Sequence, residues 1–305
     1  MRVVSVLPSA TEIVCALGLR GSLVGRSEEC DYPPSVRELP VVMHARSADT
    51  DRASAEIDVR VQAARRAGAS LYTLDVATLA ALRPDVILTQ DLCGVCSVTT
   101  DEVADGCARA GVSPRIVTLT PRTLADVWAS AETIGASLGV PERGQELASG
   151  LRTRSMPGSA GDRRPRVAVV EWVDPPILAG LWVPEMIGSA GGDPVGPAPG
   201  EVGERTTWPE VADRHPDLVI VSPCSFSVER TRAELRASRT ARGLLRLRPP
   251  LGTWILDESY FSRPGPRLAN GVALLRALVR RELAADGGAN PTWMPLLPPV
   301  AEEAA

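Results

Sequence analysis

Two stretches of this chain repeat one pattern, in which a short helix ends at a proline and runs directly into an apolar strand. Residues 79–89 read LAALRPDVILT, and residues 211–221 read VADRHPDLVIV. The apolar strand pattern at residues 2–7 also has a counterpart at residues 166–170. Strands that alternate with helices are typical of α/β proteins. The repetition therefore predicts two lobes of similar plan, each built on a parallel sheet.

A segment with helical spacing of its apolar residues separates the two halves. It covers residues 124–151 and is interrupted by Gly135, Gly139 and Pro141, which predicts one long helix or two abutting helices. The expected organisation is a first lobe over 1–120, a linker over 121–164, a second lobe over 165–285 and a mobile tail over 286–305.

Charge and composition exclude several classes of function. The formal net charge is −4 and the isoelectric point is near 5.4, which gives no reason to expect nucleic acid or an anionic membrane as a partner. The 33 residues counted as Lys or Arg are all arginine. The absence of lysine excludes Schiff-base chemistry and a P-loop lysine.

The N-terminus predicts where the protein works. It leads directly into a strand pattern, and neither a signal peptide nor a run of 18 apolar residues is visible. We therefore expect a cytoplasmic protein without a membrane span, for which an ABC transporter is a doubtful partner. In a reducing cytosol the six cysteines are expected to be thiols, metal ligands or catalytic groups rather than disulfides.

Five phrases of the sequence resemble a known family. They are VSVLPSATEIV at 4–14, ECDYPP at 29–34, DLCGVC at 91–96, EWVDPP at 171–176 and YFSRPGPR at 260–267. Together they resemble the cobalamin-binding-protein-like branch of the class III periplasmic (ABC importer) substrate-binding proteins, in the helical-backbone metal receptor superfamily. The resemblance implies two Rossmann-like lobes joined by a long rigid helix, with a ligand cleft between them. It also implies a corrinoid-like or metal-chelate ligand, since relatives bind vitamin B12, haem, siderophores or metal ions.

Ligands of open α/β sheets lie beyond the carboxyl ends of the strands, which selects the candidate contacts. In the first lobe these are Ser9, Thr11, Glu12 and Tyr32. Ser9 and Glu12 also fit a helix-capping box, a purely structural alternative. In the second lobe the candidates are Trp172, Trp182, Glu185, Tyr260, Phe261 and Arg263.

The second-lobe candidates combine aromatic rings with an arginine side chain, and both kinds of group are suited to ligand binding. Aromatic residues make up only 4% of the chain, and a flat macrocycle would stack on such rings, although ordinary lobe packing is the alternative. Arg263 has the geometry to grip a carboxylate or phosphate, or it caps a helix that begins near Pro266.

The cysteine phrase DLCGVC allows three interpretations. Cys93 and Cys96 are a redox pair, are buried thiols that line a turn, or join Cys30 as thiolate ligands of iron, zinc or cobalt. Glu29, Asp31 or His44 would complete such a metal site. Cys15 and Cys107 are predicted core residues, and Cys224 is either core or cleft lining.

No catalytic motif is present, so whether the protein is an enzyme stays open. The first hypothesis is a cytoplasmic binding protein for a corrinoid or metal chelate. The second is a metal-dependent enzyme that uses the same cleft, in which Cys30, Cys93 and Cys96 hold the metal and Glu12 or Glu29 handles protons.

Overall fold

The computed structural model describes residues 1–46, 52–91, 98–157, 163–283 and 293–297. The chain divides into two compact units. The first consists of Met1–Arg52, Val59–Pro121 and Ala125–Leu151, and the second of Ala53–Asp58, Arg122–Leu124 and Arg152–Ala305. Each unit contains its own sheet with flanking helices, so the predicted α/β class is confirmed.

The sheet of the first unit has six strands among the described residues. They are β1 (Val3–Ser5), β2 (Leu23–Ser27), β3 (Val41–Ala45), β4 (Tyr72–Leu74), β5 (Val86–Gln90) and β6 (Arg115–Leu119). Their order is β4-β3-β2-β1-β5-β6. All neighbours are parallel except β3 and β4, so the sheet is mixed rather than purely parallel as expected. The antiparallel strand is a three-residue edge strand.

One helix cap predicted for the first unit does not form, and another helix of the unit has a typical capping box. They are α1 (Pro8–Ala16), α2 (Ser54–Ala67), α3 (Val76–Leu82), α4 (Thr100–Ala110), α5 (Leu124–Ser137) and α6 (Pro141–Arg154). Of these, α2, α5 and α6 each extend at one end into residues of the second unit. The capping box predicted for Ser9 and Glu12 is wrong, because Ser9 lies inside α1. The helix begins at Pro8, and its N-cap residue is Leu7, which makes no side-chain hydrogen bond. Proline suits the first helical position, where its missing N–H costs nothing. A capping box does form at the start of α4, between Thr99 and Glu102.

The segment between the halves forms two helices rather than one. The helical conformation is interrupted between α5 and α6 at Gly139, whose φ of +78° places it in the left-handed region that glycine favours. The two helices approach closely at two glycines, since a Cβ on Gly135 would lie 2.7 Å from the Cα of Gly144. The predicted division with a separate linker over 121–164 stays a prediction.

The second unit holds the larger sheet. Its strands are β7 (Arg166–Val173), β8 (Pro176–Leu178), β9 (Asp193–Pro194), β10 (Glu204–Arg205), β11 (Leu218–Val221), β12 (Thr253–Leu256) and β13 (Trp293–Leu297). Its helices are α7 (Val183–Ala190), α8 (Trp208–Asp213), α9 (Val228–Ala237) and α10 (Leu268–Val279). The main path is β10-β8-β7-β11-β12-β13. Strands β7, β11 and β12 are parallel, and β8 and β13 run in the opposite direction. Strand β10 pairs antiparallel with β8 and therefore runs in the direction of β7.

The end of the chain differs in part from the expected mobile tail. Within that tail, β13 pairs with β12, and the Trp293 and Trp254 rings lie 5.5 Å apart. The rest of the predicted tail, apart from β13, lies outside the described residues. Among the helices that the structure describes, none is both long and apolar enough to cross a bilayer.

One strand of the second sheet carries an extra residue. Val170 pairs with Leu178 and Trp172 with Ile177, so Glu171 forms a bulge that has no opposite residue in β8. Val170 and Val173 both belong to the core cluster despite their spacing of three, because the bulge shifts the alternation of side chains. Bulges of this kind redirect a side chain at the end of a strand.

Candidate functional site

The three candidate residues on α1 are buried in the first unit. Ser9, Thr11 and Glu12 are 4%, 0% and 5% exposed. The Thr11 hydroxyl donates to the Leu7 carbonyl at 3.0 Å and lies 3.1 Å from the Cys30 sulfur. These contacts fasten α1 to the loop after β2. The buried hydroxyl of Thr11 therefore has a structural role.

Cys30 lies in the same buried cluster, and its sulfur is also 3.8 Å from the Ser5 carbonyl. Its predicted partners Cys93 and Cys96 lie outside the described residues. Within the described ranges, no three His, Cys, Asp or Glu side chains are grouped so that they would hold a metal ion. The predicted thiolate-bound metal and cysteine cluster are therefore not supported.

The other two cysteines assigned to the core differ from each other. Cys107 is buried in the core of the first unit, as predicted. Cys15 is only partly buried, and partial burial raises the pKa of its thiol. A raised pKa keeps the thiol protonated and unreactive at neutral pH.

Acidic residues line the loop after β2. Glu28 accepts a hydrogen bond from the Ala45 N–H at 2.6 Å and lies 3.5 Å from Nδ1 of His44. Asp31 lies 3.9 Å from Arg37, and Tyr32 is 47% exposed. The Glu29 N–H donates to the Ser27 hydroxyl. Tyr32 is the predicted first-lobe contact that the structure leaves most accessible.

In the second unit, Glu171 occupies the carboxyl end of β7. Burial raises the pKa of Glu171 to about 7. The Gly180 N–H donates a hydrogen bond to the carboxylate, which lowers the pKa, but burial has the larger effect. A Cβ on Gly203 would lie 2.1 Å from Oε1 of Glu171, so only glycine leaves space for the carboxyl there. The carboxyl therefore lies in a cradle of backbone.

Next to Glu171, three groups meet at the carboxyl ends of β11 and β12. The Cys224 N–H donates to the Glu171 carbonyl at 3.2 Å. Nε of Arg263 lies 2.8 Å from Oε1 of Glu258, and both side chains are largely buried. Arg263 is therefore paired with an acid of its own unit, an arrangement that neither sequence interpretation of Arg263 included.

We call the surface formed by Glu171, Trp172, Cys224 and Glu258 the recess. Cys224 is exposed, and desolvation by the surrounding protein raises the pKa of its thiol to about 12, with Glu258 and Glu171 adding to the effect. At this pKa the thiol is not a nucleophile near neutral pH.

Aromatic side chains flank the recess. The Trp172 and Phe226 rings form an edge-to-face pair at 5.3 Å, and the Arg230 guanidinium lies 3.6 Å from the Phe226 ring centre. The indole N–H of Trp172 donates to the Ser54 carbonyl at 3.3 Å. Trp172 is only partly buried, so part of its ring is available to a ligand.

The remaining second-lobe candidates have structural contacts. The Trp182 indole N–H donates to the Phe261 carbonyl at 2.6 Å, and the two residues are 5% and 2% exposed. Glu185 accepts the N–H of Leu124, the first residue of α5, where an anion is favourable. Tyr260 is partly exposed, and its carbonyl packs against Gly271.

The structure places further polar and aromatic residues at the strand ends that the sequence selects. Glu171, Phe226 and Glu258 are not among the candidate contacts predicted from sequence, and for Cys224 the sequence allows either a core or a cleft position. The available signal was position, because each of the four lies within about five residues of the carboxyl end of a predicted strand. The bulge at Glu171 has no sequence signal of its own.

Neither a protein-family model nor a curated protein matches the chain. Solved structures do match. A periplasmic haem-binding protein from Pseudomonas aeruginosa is 22% identical with a TM-score of 0.67, over 100% of this chain and 99% of that one. The periplasmic vitamin B12 binding protein of Vibrio cholerae is 22% identical with a TM-score of 0.62, over 92% and 98%. An Fe³⁺-hydroxamate transport protein from Saccharomonospora viridis is 15% identical with a TM-score of 0.62, over 91% and 92%.

These structures confirm the predicted resemblance at the level of the fold, which is that of the class III periplasmic binding proteins. They contradict the cytoplasmic location expected from the N-terminus, because the haem- and vitamin B12-binding proteins that share the fold are periplasmic. The doubt about an ABC transporter also finds no support, since one matching structure is an ABC transporter substrate-binding protein from Listeria monocytogenes.

Proposed function

We propose that this protein is an extracytoplasmic substrate-binding protein, which binds an iron or cobalt chelate and delivers it to an ABC importer. The observation that carries the proposal is the meeting of Glu171, Cys224 and Trp172 at the carboxyl edge of the second sheet. The fold supports it, because proteins that share it bind haem, vitamin B12 or an iron hydroxamate.

The chemistry of the recess fits a bound chelate better than a reaction. Trp172 offers part of an aromatic face, on which a flat macrocycle would stack. Cys224 is held as a thiol, which removes it as a nucleophile. Arg263 is neutralised by Glu258, so it is not an anion-activating charge. Together these groups offer a contact surface and hydrogen bonds to a bound chelate rather than reactive groups.

The test uses tryptophan emission of the full chain with three probes, cyanocobalamin, haemin and ferrioxamine B. The chelate that binds is expected to quench emission, and Trp172→Ala is expected to weaken its affinity about tenfold, since a stacked ring contributes on the order of 1–3 kcal/mol. Circular dichroism would establish that the variant is folded.

Trp182→Phe is the matched control, because it changes a buried indole of the same unit. It is expected to lower stability while it leaves the affinity within about twofold, since a buried ring does not touch ligand. Equal effects of both variants on affinity would remove Trp172 from the site. If none of the three probes binds, the proposed function is wrong.

A further inference from the structure

The backbone around Glu171 is built to hold a carboxyl group in the recess. The bulge takes Glu171 out of the pairing between β7 and β8. A side chain at position 203 would clash with Oε1 of Glu171, so Gly203 makes room for the carboxyl group. Gly180 donates one N–H to the carboxylate. A carboxylate has about four acceptor positions, so one backbone donor leaves most of them unused.

The charges around Glu171 are dominated by acids. The groups at the neighbouring strand ends are Cys224, Glu258 and Arg263, and the only cation among these three already pairs with Glu258. Two carboxyl groups, those of Glu171 and Glu258, and one guanidinium therefore lie at these strand ends, and the guanidinium pairs with Glu258. Within the described part of the chain, Glu171 itself forms no ion pair, since burial and the Gly180 bond account for its properties.

The segment that contains Gly203 adds no free cation. Glu204 is paired with Arg214 at 2.9 Å, and Glu201 accepts the Ala198 N–H at 3.0 Å. A ligand group placed beside Glu171 would therefore meet acceptors and negative charge. A ligand carboxylate there would be repelled, whereas an N–H or ammonium group would be attracted.

On the basis of the proposed binding function, we infer that Glu171 is a specificity-determining residue, whose carboxylate receives an N–H or cationic group of the ligand and excludes a ligand carboxylate. The bulge and the two glycines hold the carboxyl in place. Because no residue of the described ranges forms an ion pair with Glu171, its carboxylate prefers a donor or cation of the ligand. Glu171 touches the ligand directly in this account.

The inference has a consequence for pH. Because burial raises the pKa of Glu171 to about 7, a large part of the protein carries the neutral acid at neutral pH. A donor group prefers the carboxylate, so only the deprotonated fraction is fully competent to bind. The apparent affinity should therefore rise about tenfold between pH 6 and pH 8, in proportion to that fraction.

Calorimetry of the wild-type protein tests this without any variant. A donor-bearing probe, cyanocobalamin or ferrioxamine B, is titrated at pH 7 in two buffers that differ in ionisation enthalpy. The expected result is release of about half a proton per bound ligand, because binding deprotonates the neutral fraction. Binding without proton release would overturn the inference and leave the proposed function intact.

The variant Glu171→Gln tests whether Glu171 is the group responsible, because glutamine has the same shape as glutamate and does not titrate. Its dissociation constant for the donor-bearing probe is expected to be constant between pH 6 and pH 8 and about five- to tenfold above wild type at pH 8. Glu146→Gln, which removes an equal charge at an exposed position on α6, should behave as wild type.

The remaining outcomes separate the two proposals. If haemin, with its two carboxylates, is the only probe that binds and Glu171→Gln does not change its affinity, the inference is wrong and the proposed function stands. If Glu171→Gln keeps the wild-type pH dependence, another group is responsible. If no probe binds, the proposed function fails and this inference fails with it.

Discussion

The hydroxyl of Thr11 lies 3.1 Å from the sulfur of Cys30, inside the first unit. Thr11 is on α1 and Cys30 follows β2, so the contact joins two elements at the carboxyl edge of the sheet. Both residues belong to phrases that suggested ligand binding from sequence. In the structure they stabilise the edge from within.

Thr11→Val should lower the free energy of unfolding by about 1–3 kcal/mol, because it removes the hydroxyl donor from a buried cluster. Urea denaturation would measure it. Thr133→Val is the matched control, since the Thr133 hydroxyl makes the same bond to a carbonyl four residues earlier but at an exposed position. The control should change stability by less than about 0.5 kcal/mol, and equal losses would contradict the role of the Cys30 contact.

Arg263→Ala should destabilise the protein by about 3 kcal/mol, because it leaves Glu258 buried without its partner at 2.8 Å. Thermal and urea unfolding would measure the loss. Arg280→Ala breaks an exposed pair with Glu282 at 3.9 Å and should cost less than about 0.5 kcal/mol. An Arg263 variant as stable as the Arg280 variant would show that the pair is not important for folding.

Glu171 should make stability fall as pH rises. Its pKa is raised from 4.5 to about 7, so between these values the folded protein binds the proton more tightly than the unfolded chain does. The contribution is complete below about pH 4.5 and is lost as pH approaches and passes 7, by at most about 3 kcal/mol. The difference in unfolding free energy between wild type and Glu171→Gln, measured at pH 5 and pH 8, isolates it. A difference that does not change with pH would refute the shift.

Gly203→Ala should displace the Glu171 carboxyl, because the added Cβ would lie 2.1 Å from Oε1. The expected cost is about 1–3 kcal/mol of stability, together with weaker chelate binding. Gly21→Ala is the control, since no atom lies within 4 Å of the added Cβ. If Gly203→Ala binds and unfolds as wild type does, the cradle is not as tight as described.

The sequence predicted the α/β class because its evidence was local. A helix, a proline and an apolar strand recur in both halves, and β5 and β11 are those strands. The sequence does not predict the opposite directions of β4, β8 and β13, since strand direction depends on pairing between distant segments.

The candidate site was predicted less completely. Ser9 and Glu12 fitted a capping box, but Pro8 moves the start of α1 and leaves both side chains buried. Trp182 and Phe261 looked like ring surfaces, yet they bond to each other inside the unit. The bulge at Glu171 depends on pairing with β8, a tertiary feature that composition and periodicity do not record.

Calorimetric titration of the full chain with cyanocobalamin, haemin and ferrioxamine B tests the central claim most directly. The account predicts that at least one chelate binds with a stoichiometry of one and a dissociation constant below about 10 μM, equivalent to about 7 kcal/mol. If none of the three binds at that level to protein shown to be folded, the protein is not a chelate-binding protein of the kind proposed.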